Sequence, residues 1–195
     1  MVEYGNVSAV VTRTVDLSHA LVADLGRGRL ESTRPPVRLV ALPASWLGEL
    51  LDQVPEAGTR LARTWAAPLA QDARAVLGDD EPSPEAMAYA LSCALAVRGL
   101  GTVQLERWGD ALALRWSDPP CQGPVFAALG ADLMARVVGE LMDVTTHGAP
   151  LGSAEEPTLR VLLGSASACA LARELGARGS SLTAVLERLA PGGAP

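Results

Sequence analysis

The chain offers little that could do covalent chemistry. His19 and His147 are its only imidazoles. Neither stands in an HxxxH or HExxH spacing, the pattern that puts two metal ligands on one helix face. His147, between Thr146 and Gly148, falls at a predicted helix end, where the helix dipole favours a protonated ring and a capping role. Cys93, Cys121 and Cys169 are widely spaced and form no CxxC, so they read as free thiols in the core rather than zinc ligands. With no lysine in the chain, the phosphate-binding pattern GxxxxGK[ST] cannot occur, and no GxGxxG is present. The turn Gly164-Ser165-Ala166-Ser167-Ala168 follows a strand and opens a helix. It misses the GxSxG nucleophile elbow because Ala166 stands at the serine position. Small residues for close packing explain it better than anion binding. Asp79-Asp80-Glu81 is a run of carboxylates in a polar break. Paired acid–base carboxylates need fixed places in a partly dry cleft, so these read as solvated charge. Arg27, Arg29 and Arg34 are the densest basic set, and they too read as solvated surface. The residues therefore predict no catalytic set, no metal and no cofactor.

The elements that would position a site follow from periodicity. Val7 to Val15 alternates as a strand. Asp16 then caps a predicted short helix bearing Leu17, Leu21 and Leu25, closed by Gly26-Arg27-Gly28-Arg29, with a loop to Pro35-Pro36. Val37 to Leu42 is a second strand. Pro43 opens a helix with Trp46, Leu47, Leu50, Leu51 and Val54 on its apolar side. Pro55 starts another, with Leu61, Trp65 and Leu69 every four residues and a kink expected at Pro68. Both tryptophans are predicted to lie in the core. Ser83-Pro84-Glu85 is a helix start with an N-cap hydroxyl, proline at the first turn and an acid at the positive dipole end. Its stripe is Met87, Leu91, Ala94 and Leu95, and Gly99 stops it.

Thr102 to Arg107 and Ala111 to Ser117 alternate around Trp108-Gly109-Asp110 as a hairpin. Val103 and Leu105 meet Leu112, Leu114 and Trp116 across it. Pro124 opens the longest predicted helix, to Val144, with Phe126, Leu129, Leu133, Val137, Leu141 and Val144 at helical spacing. Met134, Val138 and Met142 widen that apolar surface beyond one contact layer, so the helix is predicted to be buried on two sides, by a sheet and by another layer or subunit. Trp108 sits at the hairpin turn, where an exposed indole is costly, so it is expected either to pack on the neighbouring helix or to meet a partner. Met134, Val138, Met142 and Trp108 are accordingly the candidate interface residues. Thr145 to Pro157 reads as a loop, Leu159 to Leu163 as a strand, and Ala166 to Ala177 and Ser181 to Ala190 as helices. The last five residues, Pro191 to Pro195, read as a disordered tail.

Composition narrows the class. Of 195 residues, 49% are hydrophobic and 19% charged, enough apolar content for a full core and too little charge for a disordered chain or coiled coil. All 16 basic residues are arginine, a codon bias of GC-rich bacterial genomes. The formal charge of −6 and the lack of a basic stripe argue against nucleic acid. No basic segment leads into an apolar one at the start, and no apolar run reaches the length of a membrane span. These features predict a cytoplasmic protein without membrane insertion.

Leu95-Ala96-Val97-Arg98-Gly99-Leu100-Gly101-Thr102-Val103-Gln104-Leu105-Glu106, followed by Ala111 to Trp116 and Asp118-Pro119, resembles the D-type subunits of cellulose synthase. In that family a helix ends in such a Gly-x-Gly-Thr-Val hairpin and a long helix follows; Gly123 to Met142 stands in its place. The resemblance implies a non-enzymatic, ring-forming periplasmic protein. The same helix–hairpin–helix order, with Val37 to Pro43 and the two tryptophan-bearing helices before it, also resembles 4-vinyl-reductase-type sensor domains and the vesicle-tethering TRAPP subunits. That resemblance implies a small-molecule sensor. The cysteine-rich metal-binding end of many such sensors has no match here, since Cys169 has no following Gly-x-x-Cys.

Together these readings predict one α+β domain over residues 1–190, with residues 1–36 as an N-terminal extension. A small, mainly antiparallel sheet around the 102–117 hairpin packs against several helices. The expected function is a non-enzymatic, self-associating scaffold or adaptor, a homo-oligomer that also binds other proteins. The alternative is a sensor domain with an apolar pocket for a small molecule.

Overall fold

The computed structural model describes residues 21–24, 29–33, 36–39, 43–78, 83–108, 111–152 and 158–189. The strand expected over Val7 to Val15, the acidic run Asp79 to Glu81 and the tail lie outside these residues, as do His19, Arg27 and Arg34. Three short strands come first: β1 (Leu21–Asp24), β2 (Arg29–Thr33) and β3 (Pro36–Leu39). They form an antiparallel sheet in chain order, with Ala23 opposite Leu30 and Ser32 opposite Val37. The helix expected through Leu21 is therefore a strand at residues 21–24, and the loop expected at 29–33 is also a strand. Leucines four apart mimic a helix stripe, while the strands are too short to show a strong alternation.

Helices α1 (Ala44–Gln53) and α2 (Glu56–Leu77) follow, separated by Val54 and Pro55. Helix α2 runs unbroken through Pro68. Its buried face is not the large-residue stripe that periodicity picks out but Gly58, Ala62, Ala66, Leu69, Ala70 and Ala73. Leu61 and Trp65 are only half-buried. Helix α3 (Pro84–Val97) starts as predicted, with the Ser83 hydroxyl accepting from the Ala86 amide at 3.1 Å. It ends at Gly99, whose φ of 66° lies in the left-handed region. An Arg98–Asp72 ion pair ties α3 to α2.

The hairpin then forms over the expected residues, though Leu112 lies opposite Arg107 and is exposed. Strands β4 (Thr102–Trp108) and β5 (Ala111–Ser117) pair Leu105 with Leu114 and Val103 with Trp116. Helix α4 spans Pro124–Met142 and stops at Asp143, which adopts a left-handed conformation. Strand β6 (His147–Leu151) occupies part of the expected loop, and β7 (Thr158–Gly164) follows. The antiparallel order is β4-β5-β7-β6. Residues His147-Gly148-Ala149-Pro150 do not look like a strand. Yet β6 is a sheet edge, where proline is tolerated, and Gly148 lies against the Ala131 backbone of α4. Helices α5 (Ala166–Ala177) and α6 (Leu182–Leu189) close the described chain.

The result is an α+β fold whose four-stranded sheet has two cores. On one face, Val103, Leu114, Trp116, Leu159 and Val161 join residues of α2, α3 and α4. On the other, Ala113, Ala149, Leu151 and Leu162 pack on Cys169, Ala172 and Leu175 of α5 and Val185 and Leu186 of α6. Period-two alternation sends neighbouring residues to opposite cores. Trp116 anchors the first core. Its indole N–H donates to the Leu100 carbonyl at 2.5 Å, and its ring meets Phe126 with centroids 5.4 Å apart and planes tilted by 55°. Gly130 of α4 makes room for it: a Cβ there would stand 3.1 Å from the indole and 2.7 Å from the Leu159 side chain.

Candidate functional site

Helices α2 and α4 run side by side in the same direction. Near their starts Gly58 faces Leu129, and near their ends the Arg74 guanidinium donates to the Glu140 carbonyl. The small residues of α2 let the two backbones approach closely. At the first turns the chain leaves an open groove of about 340 Å³. Pro55, Gly58 and Thr59 line one side, and Pro124, Val125, Ala128, Leu129 and Asp132 the other. Each wall begins at a proline. Pro55 precedes the first residue of α2, and Pro124 is the first of α4, where its missing N–H costs nothing. The volume falls within the range of small-molecule sites. The walls are mostly apolar, with two polar groups, the Thr59 hydroxyl and the Asp132 carboxylate. Arg136, one turn along α4, donates from Nε to Asp132 Oδ1 at 3.0 Å. That pair holds the carboxylate in place and leaves Oδ2 for an incoming donor.

The sequence does not reveal the groove, because its two walls lie more than sixty residues apart. The one available signal is a pair of proline-opened helices, each with glycine or alanine in its first turns.

The candidate interface residues divide. Met134 is 0% and Val138 6% exposed within the chain itself. Both belong to the first core, with α2 on one side of α4 and the sheet on the other. The second covering layer is thus a helix of the same chain, and neither residue offers surface to a partner. Met142 is 44% exposed. Trp108 is the last residue of β4, and its side chain lies outside the described part of the chain. Trp46, expected in the core, is exposed on α1.

The nucleophile candidates are otherwise engaged. His147 lies in β6, not at a helix end, and its register places it opposite Gly164. Ser165 nonetheless spends its hydroxyl as the N-cap of α5, accepting from the Ala168 amide at 3.2 Å with the Ser167 hydroxyl 3.0 Å away. Burial, and after it the nearby Asp52 carboxylate, pushes the Cys121 thiol up to about 11. Burial also raises Cys169, against the opposing effects of Arg173 and a backbone hydrogen bond. Both stay protonated near neutral pH and are poor nucleophiles. Glu106 bridges two arginines on the sheet, 3.1 Å from Arg160 and 3.8 Å from Arg115.

Among the described residues no three His, Cys, Asp or Glu side chains are grouped to hold a metal ion. The three cysteines lie on α3, before α4 and on α5, which does not fit a cysteine-rich metal site. A chelator should therefore leave the melting temperature unchanged, because the described residues offer no ligand set through which a metal would add to folding. A drop of several degrees in a calorimetric scan, reversed by added zinc, would overturn this. No described helix is long and apolar enough to cross a membrane.

No protein-family model matches the chain, and no curated protein matches its sequence. Among solved structures it is similar to the phenol-responsive sensory domain of the transcription activator PoxR, crystallised with phenol. The TM-score is 0.55 at 17% identity, covering 75% of this chain and 85% of that one. At that identity the likeness is one of fold.

Proposed function

We propose that this chain is a non-enzymatic sensory domain for a small aromatic molecule, seated in the groove between the starts of α2 and α4. The observation that carries the reading is the groove itself: apolar walls of small-ligand size around a carboxylate fixed by Arg136. A flat ring fits against Val125, Ala128 and Leu129. A hydroxyl on that ring donates to Asp132 and accepts from the Thr59 hydroxyl. The fold likeness to a phenol-responsive domain supports the ligand class, and the resemblance of the sequence to sensor domains supports small-molecule sensing. Of the four residues on which the scaffold reading rests, Met134 and Val138 are buried in the chain's own core, Met142 is exposed, and the Trp108 side chain lies outside the described residues.

Phenol is the probe for isothermal titration. Saturable binding is expected. Ala128→Trp puts an indole into the groove from an exposed helix position and should weaken binding at least about tenfold without loss of fold, since a filled site has no room for the ring. Asp132→Ala removes the acceptor and should weaken it by a similar factor, about the worth of one charged hydrogen bond. No saturable heat into the millimolar range would overturn the ligand class. Binding that both variants leave intact would overturn the site.

A further inference from the structure

Helix α1 turns its large apolar residues outward. Trp46 is 59%, Leu50 47% and Val54 44% exposed, four residues apart on one stripe, while only Leu51 is buried. Every charged residue of α1 is acidic: Glu49 and Asp52. The exposed side of the next helix carries Arg60 and Arg63, with the half-buried Leu61 and Trp65 beside them. Among the described residues none of these four charged groups makes an ion pair.

We propose that a second copy of this chain docks on α1, laying its α2 along the Trp46-Leu50-Val54 stripe in a two-fold pairing. A two-fold axis makes the contact twice, α1 on the partner's α2 and α2 on the partner's α1. Charge selects this arrangement. Pairing α1 with α1 sets Glu49 and Asp52 against their own copies, and like charges facing across an interface are strongly disfavoured. Pairing α1 with α2 sets them against Arg60 and Arg63. The surface ends at Val54, next to Pro55 of the groove, so the interface borders the groove. It does not depend on what the groove binds.

Sedimentation velocity of the full chain over a concentration series tests this. A concentration-dependent dimer is expected. Glu49→Arg with Asp52→Arg makes α1 and α2 both basic, and Arg60→Glu with Arg63→Glu makes both acidic. Each double variant alone should dissociate about a hundredfold more readily. Mixed in equal amounts they should form a heterodimer, because both contacts again pair opposite charges. Leu50→Glu should weaken the wild-type dimer without a charge swap. All substituted positions are exposed, and far-UV circular dichroism checks that each variant stays folded. Three outcomes overturn the proposal: a wild-type monomer throughout the series, a dimer unaffected by the variants, or folded double variants that do not associate when mixed. In the first case an apolar, basic partner of another kind would be left as the occupant of α1.

Discussion

Replacing Trp116 with alanine should cost about 3–5 kcal/mol of unfolding free energy, the range for emptying a buried aromatic site. The side chain is fully buried between the sheet and α4, and its ring stacks at a tilt on Phe126. Its N–H also satisfies the Leu100 carbonyl, just before the hairpin. Trp116→Phe separates the two contributions. It keeps much of the volume but leaves that carbonyl without its donor, for about 1–3 kcal/mol. Urea unfolding of both variants measures the difference. A loss below ~1 kcal/mol for the alanine variant would be incompatible with the tryptophan at the centre of the first core.

Gly148→Ala should be similarly damaging for a different reason. A Cβ at this position would overlap the Ala131 carbonyl of α4. A flexible side chain could give way, but a helix backbone cannot move without disturbing the α4 contacts on both of its faces. The cost should reach the top of the overpacking range, about 3 kcal/mol. Gly176→Ala is the control. It lies inside α5, with nothing within 4 Å of an added Cβ, and should stabilise by about 0.5–1 kcal/mol through helix propensity. Equal melting temperatures for the two variants would mean that β6 does not lie against α4.

The parts of the fold that are legible in the sequence are those with local chemical signals. The hairpin register follows from alternation at Val103, Leu105, Leu114 and Trp116. Ser83 with Pro84 marks a helix start through its hydroxyl, whereas the capping role of Ser165 at α5 emerges only from the structure. Legibility ends where tertiary contact overrides local preference. Leu61 and Trp65 look like the inner face of α2, but close packing on α4 uses Gly58, Ala62 and Ala66, which hydrophobic periodicity barely registers. Trp46 and Leu50 look like core for the same reason, since periodicity identifies a stripe without saying which molecule covers it. Strand β6 is hidden by a glycine needed for backbone approach and a proline that only an edge position allows. The groove depends on two distant helix starts being adjacent, and no local pattern encodes that. What the sequence conveys of the site is negative: two histidines outside any ligand spacing and three scattered cysteines.

The most direct test of the sensory reading is where an aromatic ligand lies. In a nuclear Overhauser experiment on the isotope-labelled chain with phenol, the ring protons should give contacts to the methyl groups of Val125, Ala128 and Leu129, and to Thr59 across the groove. Contacts instead to Val185, Leu186 or other methyls of the second core, or no intermolecular contacts at saturating phenol, would contradict it.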